Sequence, residues 1–190
     1  MLAPFFNIRP TDLLLLPVHV VLLELIIDPT CSIVLERQPA ESNIMNRKPR
    51  NPKESILTKG TLIKGILQGF IIFAFSFSTY FNALQQNPDN SALARTMGLS
   101  IVMIANIFLV MVNSSNQESI FCSINKLIKD KIFWAVIFGT FAMLLLILYT
   151  PLSGILSLTA LSAKQMFMVI GIAAISVLWY EVIKLIKRRK

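Results

Sequence analysis

Long apolar blocks alternate with short polar segments along the 190-residue chain. Each block comes close to the roughly 20 apolar residues that a helix needs to cross a bilayer. The blocks are apolar on every side, which favours helices over the alternating strands of a membrane barrel. Helices also satisfy their own backbone polar groups, as hydrocarbon requires. The pattern predicts an all-α, polytopic membrane protein with five transmembrane helices, at about residues 13–35, 62–84, 92–112, 132–149 and 165–186.

The basic residues are concentrated on one side of this predicted topology. Fifteen of the 18 fall in the loop of residues 36–61, at Lys64, in the loop near 113–131 and in the tail from 184 onwards. The others are Arg9, Arg95 and Lys164. An excess of Lys and Arg marks the cytoplasmic side, so we expect the N-terminus outside, the C-terminus in the cytoplasm and the plasma membrane as location. Topology thus accounts for the net charge of +8, which predicts a lipid bilayer as partner and no nucleic acid.

Two carboxylates interrupt the first apolar block. Glu24 and Asp28 are four residues apart, so they share one face of a helix. An ionised carboxylate near the bilayer centre is costly, and an intramembrane acid indicates a functional site. Pro29 follows directly and has no N–H for the carbonyl of Leu25. We therefore expect the helix to break here, beside a cavity or neighbouring spans that shield the acids.

The acid pair can be tolerated if it is protonated, paired with a base or neutralised by a cation. No basic residue lies at the centre of a span, so we predict an ion or proton site at Glu24 and Asp28. Asn106, in the third block, could add an amide oxygen to a cation shell. A protonated, hydrogen-bonded structural pair and an interhelical hydrogen bond from Asn106 remain as alternatives. Cys31 and Cys122 lack metal-ligand spacing, and we expect ordinary thiols.

Other polar and small residues in the blocks are predicted to be structural. His19 and Glu181 lie near the ends of their blocks, and we expect both to be interfacial polar residues. Gly65 and Gly69 form a small-xxx-small pair, which is typical of close helix packing in membranes.

The order of motifs along the chain resembles a known family. The stretch "LLPVHVVLLELIIDPTCSIVLERQPAESNIMNRKPRNPKESIL" resembles the sixth transmembrane helix and following cytoplasmic loop of P-type cation-transporting ATPases of the calcium-pump type. Within it, "NIMNRKPRNPKE" is the most specific match. "ARTMGLS" and "VNSSNQESIF" resemble the eighth helix of the family, and "LYTPLSGILSLTALSAKQMFMV" with "YEVIKLIKRR" resembles the last two helices. The resemblance covers essentially the whole chain.

The resemblance implies a cation-binding role for the residues already singled out. Asp28 falls on the family's ion-ligating aspartate, Glu24 on a ligating asparagine, and Asn106 near a ligating glutamate of the eighth helix. Ile27 replaces a threonine ligand and Pro29 replaces a glycine, so the ion is not fixed by the resemblance. Calcium is expected first, and manganese, sodium or a proton remain open.

The resemblance also implies that the chain, residues 1–190, is one C-terminal membrane domain of such a pump. The family's phosphorylation motif D-K-T-G and its nucleotide-binding domain are not in the sequence. We therefore expect no catalytic residue and no cofactor in this chain, with ATP and magnesium bound by the N-terminal catalytic half, its expected partner. Whether the chain counts as an enzyme stays open, and we expect it to be inactive alone. The alternatives are a non-catalytic partner or regulator of an intact pump and a small independent cation carrier.

Overall fold

The structure is a computed structural model that describes residues 13–36, 59–113 and 131–188. Five long helices account for most of these residues. All regular structure in these ranges is helical, and five helices are long and apolar enough to cross a membrane. The predicted all-α fold with five transmembrane helices is therefore confirmed. The predicted loop 36–61 and the basic segment 114–130 lie largely outside the described residues. The helices are α1 (Pro17–Glu36), α2 (Lys59–Gln86), α3 (Ser91–Asn113), α4 (Lys131–Tyr149), the short α5 (Leu152–Ile155) and α6 (Ala163–Arg188).

Helix α3 lies at the centre of the bundle. It packs against α2 and α6 most extensively and also contacts α1 and α4. Two thirds of its span, 67%, is buried, against 17–28% of each of the other four spans. The outer helices expose large apolar side chains such as Phe70, Phe138 and Phe167, as expected for surfaces that face lipid or further membrane helices.

A glycine allows α2 and α3 to approach closely. The Ser76 hydroxyl donates a 2.8 Å hydrogen bond to the Gly98 carbonyl. A Cβ at Gly98 would meet Leu14 Cδ1 and would lie 3.4 Å from Ser76 Oγ and Tyr80 Cβ. At Gly65 and Gly69 a Cβ would have no neighbour within 4 Å. Among the described residues the close contact is therefore made by Gly98, and the packing role of Gly65 and Gly69 stays a prediction.

Buried polar side chains join the helices at the end of the bundle that holds residues 87–90 and 150–162, which we call the loop end. Arg95, with 4% of its surface exposed, donates from Nε to the Leu13 carbonyl at 2.9 Å and from Nη1 to the Ser157 carbonyl at 3.0 Å. The Thr96 hydroxyl accepts a 2.9 Å hydrogen bond from the Thr159 N–H. These bonds fasten the start of α1 and the segment before α6 to the central helix.

His19 belongs to the same network. Its Nδ1 accepts a hydrogen bond from the Leu16 N–H at 3.2 Å, and its Nε2 lies 2.7 Å from the Leu156 carbonyl. Both bonds form only if the neutral ring carries its proton on Nε2. Its side chain is fully buried, so it packs inside the bundle, and its location at the membrane interface stays a prediction.

Candidate cation site

Helix α1 continues through Pro29 without interruption, so the predicted break of the helix is wrong. Proline still cannot donate to the carbonyl of Leu25. One residue further on, Thr30 Oγ1 donates to the Ile26 carbonyl at 2.7 Å and lies 3.0 Å from Thr140 Oγ1 on α4. This bond goes to the Ile26 carbonyl, so the Leu25 carbonyl remains without its usual donor in a helix that is nevertheless continuous.

Glu24 and Asp28 lie on the exposed face of α1. Their neighbours on this face include Val21 and Leu25, which are 64% and 66% exposed. The opposite face packs against α3 and α4 through a buried set at helical spacing: Leu23, Ile26, Thr30 and Val34. Within the described residues, the chain therefore does not shield the acids, contrary to the expectation from the sequence. Their binding of a cation stays a prediction.

Asn106 lies at the contact between α1 and α3. Its side chain is only 7% exposed, and its Oδ1 faces Cys31 Sγ at 3.9 Å. Within the part of the chain that the structure describes, its Nδ2 is buried without a hydrogen-bond partner. Asn106 also borders an open cavity of about 310 Å³ with Ile27 and Gly69, between α1, α2 and α3. The third predicted ligand is thus buried and only partly satisfied.

The acids border the side of α1 that contacts α3. At 3.6 residues per turn, Cys31 lies about 60° and Glu24 about 40° from Asp28 around the helix axis, both in the same direction. Because Cys31 contacts Asn106 on α3, both acids lie towards the edge of α1 that faces this amide. Among the described residues, no group of three or more His, Cys, Asp or Glu side chains is arranged to hold a metal ion.

Among the described residues, the basic side chains nearest the centres of the spans interact with groups other than the two acids. Lys64 Nζ lies over the Tyr180 ring, 4.7 Å from its centroid. Arg95 is bound to the carbonyls of Leu13 and Ser157 at the loop end. These positions support the sequence argument that an internal base does not neutralise the acid pair.

An acid near the C-terminal end of α6 is also buried. Glu181 is 5% exposed at the end of its candidate span, and its location at the membrane interface stays a prediction. It continues the buried stripe of α6 formed by Val169, Ala173 and Val177, at the four-residue spacing of one helix face. That spacing could have identified its burial. In the same region of the bundle, Asn113 Nδ2 donates to Gln68 Oε1 at 3.3 Å across α3 and α2.

The sequence matches a family model and several curated proteins. Residues 12–186 match the family model described as "Cation transporting ATPase, C-terminus". The "Calcium-transporting ATPase" of Bacillus subtilis (strain 168) is 28% identical over 161 residues, which is 85% of this chain and 18% of that protein. "Calcium-transporting ATPase 1" of Bacillus cereus is 26% identical over 188 residues, covering 90% of this chain and 21% of the relative. The human "Calcium-transporting ATPase type 2C member 1" is 24% identical over 161 residues, with coverages of 80% and 16%. The chain thus spans about a fifth of the length of these curated relatives.

Proposed function

The chain belongs to the family of C-terminal membrane regions of P-type cation-transporting ATPases, and from this premise we propose that it binds and translocates a cation as part of an ATP-driven pump. Calcium is the first candidate, because each relative described above carries calcium transport in its name. The cation is the transported substrate. In this proposal ATP and magnesium are bound by the N-terminal catalytic half, and the chain by itself does not hydrolyse ATP.

The observation that carries the proposal is the position of the two acids. Glu24 and Asp28 occupy the exposed face of α1, a helix long and apolar enough to cross a membrane. An acidic side chain at the bilayer centre costs about 2.5–3.5 kcal/mol on insertion scales, so two acids facing lipid would cost roughly 5–7 kcal/mol. This cost is avoided if protein covers the face and a cation neutralises it. The relatives are about five times as long as the matched region, and further membrane helices of such a pump are the proposed cover.

The ligand chemistry of this edge suits a hard cation. Calcium takes six to eight oxygen ligands from carboxylates, amides, backbone carbonyls and water. The two acids offer carboxylate oxygens and Asn106 offers its amide oxygen, and the Leu25 carbonyl that Pro29 leaves without a donor lies on the other side of Asp28. The covering half of the pump would complete the shell. Manganese, sodium and a proton are the competing cargoes.

The location of the chain follows from the same proposal. Its five membrane-spanning helices make it an integral multi-pass membrane protein. The concentration of Lys and Arg in alternate connections supports an outside N-terminus and a cytoplasmic C-terminus. We propose the plasma membrane as the site of action.

The proposal is tested by placing the chain in a working pump. The matching segment of the Bacillus subtilis relative is replaced by this chain, and calcium-stimulated ATP hydrolysis is measured in membranes. Asp28→Asn is expected to lower the apparent calcium affinity at least tenfold. The matched control, Asp89→Asn, makes the same change in the exposed turn after α2 and is expected to have no effect. Equal calcium dependence in the two variants would contradict the proposal.

The two alternatives give different results. An independent carrier would show cation uptake into liposomes that contain this chain alone, and Glu24→Gln would abolish that uptake. A regulator would co-purify with an intact pump and alter its activity without supplying ligands, so that Asp28→Asn would be silent in the chimera.

A further inference from the structure

A second cavity lies between α2, α3 and α6, close to the loop end of the bundle. Its volume is about 350 Å³, which is within the range of sites that bind small molecules and cofactors. The residues of the candidate cation site do not line it. Its lining combines apolar side chains with amides and hydroxyls, and among the described residues no charged side chain contributes to it. The cavity therefore suits an uncharged ligand that is polar at one end and apolar at the other.

The lining changes from polar to apolar with depth in the membrane. Gln86 is the last residue of α2 and Gln165 lies in the first turn of α6, so both are at the loop end of the cavity. Measured back along α2 at 1.5 Å per residue, Asn82 lies about 6 Å, Ser78 about 12 Å and Phe75 about 16 Å from Gln86. Amides, then a hydroxyl, then hydrocarbon thus follow one another towards the bilayer centre, in the order of a lipid headgroup, its ester groups and its acyl chains.

The cavity is a groove that opens on the outer surface of the bundle. Phe75 on α2 and Met168 on α6 both line it, and they are 38% and 53% exposed. Ser78 and Asn82 lie one turn apart on the same exposed face of α2. Polar groups in an apolar environment are costly unless they are hydrogen-bonded, so a ligand from the bilayer that carries hydroxyl and ester groups would stabilise this face.

The polar side chains of the groove favour an uncharged headgroup. An amide offers both donors and an acceptor, which matches hydroxyl groups that donate and accept in turn. The Gln165 amide is held in place at the loop end, because its Oε1 accepts a 2.9 Å hydrogen bond from the Ser162 N–H. A phosphate group would find no opposite charge among the described lining residues, so its desolvation would not be offset.

We propose that this groove binds one membrane lipid with an uncharged, hydroxyl-rich headgroup, of the glycosyl diacylglycerol class. The amides of Asn82, Gln86 and Gln165 bind the headgroup hydroxyls. The Ser78 hydroxyl donates to an ester carbonyl, and an acyl chain packs along Phe75 towards the bilayer centre. The bound lipid bridges α2 and α6 on the membrane-facing surface of the bundle. This site is separate from the cation site and does not depend on the proposed function.

Native mass spectrometry of the full chain, released from nanodiscs, tests this assignment. The nanodiscs contain equal amounts of galactosyl diacylglycerol, phosphatidylglycerol and phosphatidylethanolamine, and the lipids retained by the protein are counted. We expect at least a fivefold preference for galactosyl diacylglycerol over each phospholipid. Asn82→Leu and Gln86→Leu should each lower this preference about threefold, because each variant loses a hydrogen bond to the headgroup.

Gln85→Leu is the matched control. Gln85 and Gln86 are adjacent and both exposed, but of the two only Gln86 lines the groove, so the control should keep the preference of the unmodified chain. Equal retention of the three lipids would overturn the inference, and so would a preference for either phospholipid. A galactosyl diacylglycerol preference that falls equally in Gln85→Leu and Gln86→Leu, or in neither of them, would place the bound lipid elsewhere and also overturn it.

Discussion

Replacing Arg95 by methionine tests whether a buried cation fastens the loop end of the bundle. The substitution keeps an unbranched side chain and removes the charged donors. It breaks the bonds from Nε to the Leu13 carbonyl at 2.9 Å and from Nη1 to the Ser157 carbonyl at 3.0 Å. The start of α1 and the segment before α6 both lose their attachment to α3.

The magnitude follows from the kind of bond that is lost. Hydrogen bonds to charged groups contribute about 1.5–3 kcal/mol each, so two of them are worth roughly 3–6 kcal/mol. Ordinary interhelical hydrogen bonds in membranes average only about 0.6 kcal/mol, and two would give roughly 1.2 kcal/mol. Because Arg95 is only 4% exposed, water cannot easily replace the lost donors, and we expect a loss of at least about 3 kcal/mol.

The assay is the free energy of unfolding of the chain in mixed micelles, followed by far-ultraviolet circular dichroism as denaturing detergent is added. Lys164→Met is the matched control, because it removes one positive charge from an exposed residue at the same end of the bundle. We expect the control to change the unfolding free energy by less than about 0.5 kcal/mol. A loss of about 1 kcal/mol or less in Arg95→Met, or equal losses in the two variants, would refute the reasoning.

Three further predictions concern packing and the helix that carries the acids. Gly98→Val should lower the unfolding free energy by about 1–3 kcal/mol through overpacking between α2 and α3. Gly69→Val, where a Cβ has no neighbour within 4 Å, should change the unfolding free energy by less than about 0.5 kcal/mol. Equal losses in the same detergent assay would contradict the close contact at Gly98. His19→Phe should cost about 1–2 kcal/mol, because two hydrogen bonds are lost, and an unchanged unfolding transition would contradict the role of the ring. Pro29→Ala should restore the donor to the Leu25 carbonyl and lower calcium affinity in the chimeric pump severalfold, and wild-type affinity would remove that carbonyl from the site.

The number and type of the helices could be predicted because a bilayer imposes a length and an apolar composition on every span. Polar interruptions of the hydrophobic pattern then located the acids on one face of α1. The residue at which that helix begins was harder to predict. Leu13 lies within the predicted span, but the helix begins at Pro17, whose fixed backbone angle suits a first turn and whose missing N–H needs no partner there.

The face of α1 that packs against the other helices could not be predicted, because α1 is apolar on nearly all sides. The burial of His19 and Arg95 could not be predicted from the sequence either. Their partners, the carbonyls of Leu156 and Ser157, are 137 and 62 residues away in the sequence. A hydrogen-bond partner that is a backbone carbonyl cannot be identified from the amino-acid sequence, because every residue has one. Only the fold brings the loop before α6 onto the start of α1.

The most direct test of the central claim asks whether a cation occupies the acid pair in the membrane. Membranes that contain the chimeric pump are treated with a hydrophobic carbodiimide with and without calcium, and the modification of each carboxyl group of this chain is measured by peptide mass spectrometry. Glu36, exposed at the end of the same helix, is the internal control. We expect calcium to protect Glu24 and Asp28 from modification and to leave the modification of Glu36 unchanged. Equal modification of Glu24 and Asp28 with and without calcium, and with each competing cation, would contradict it.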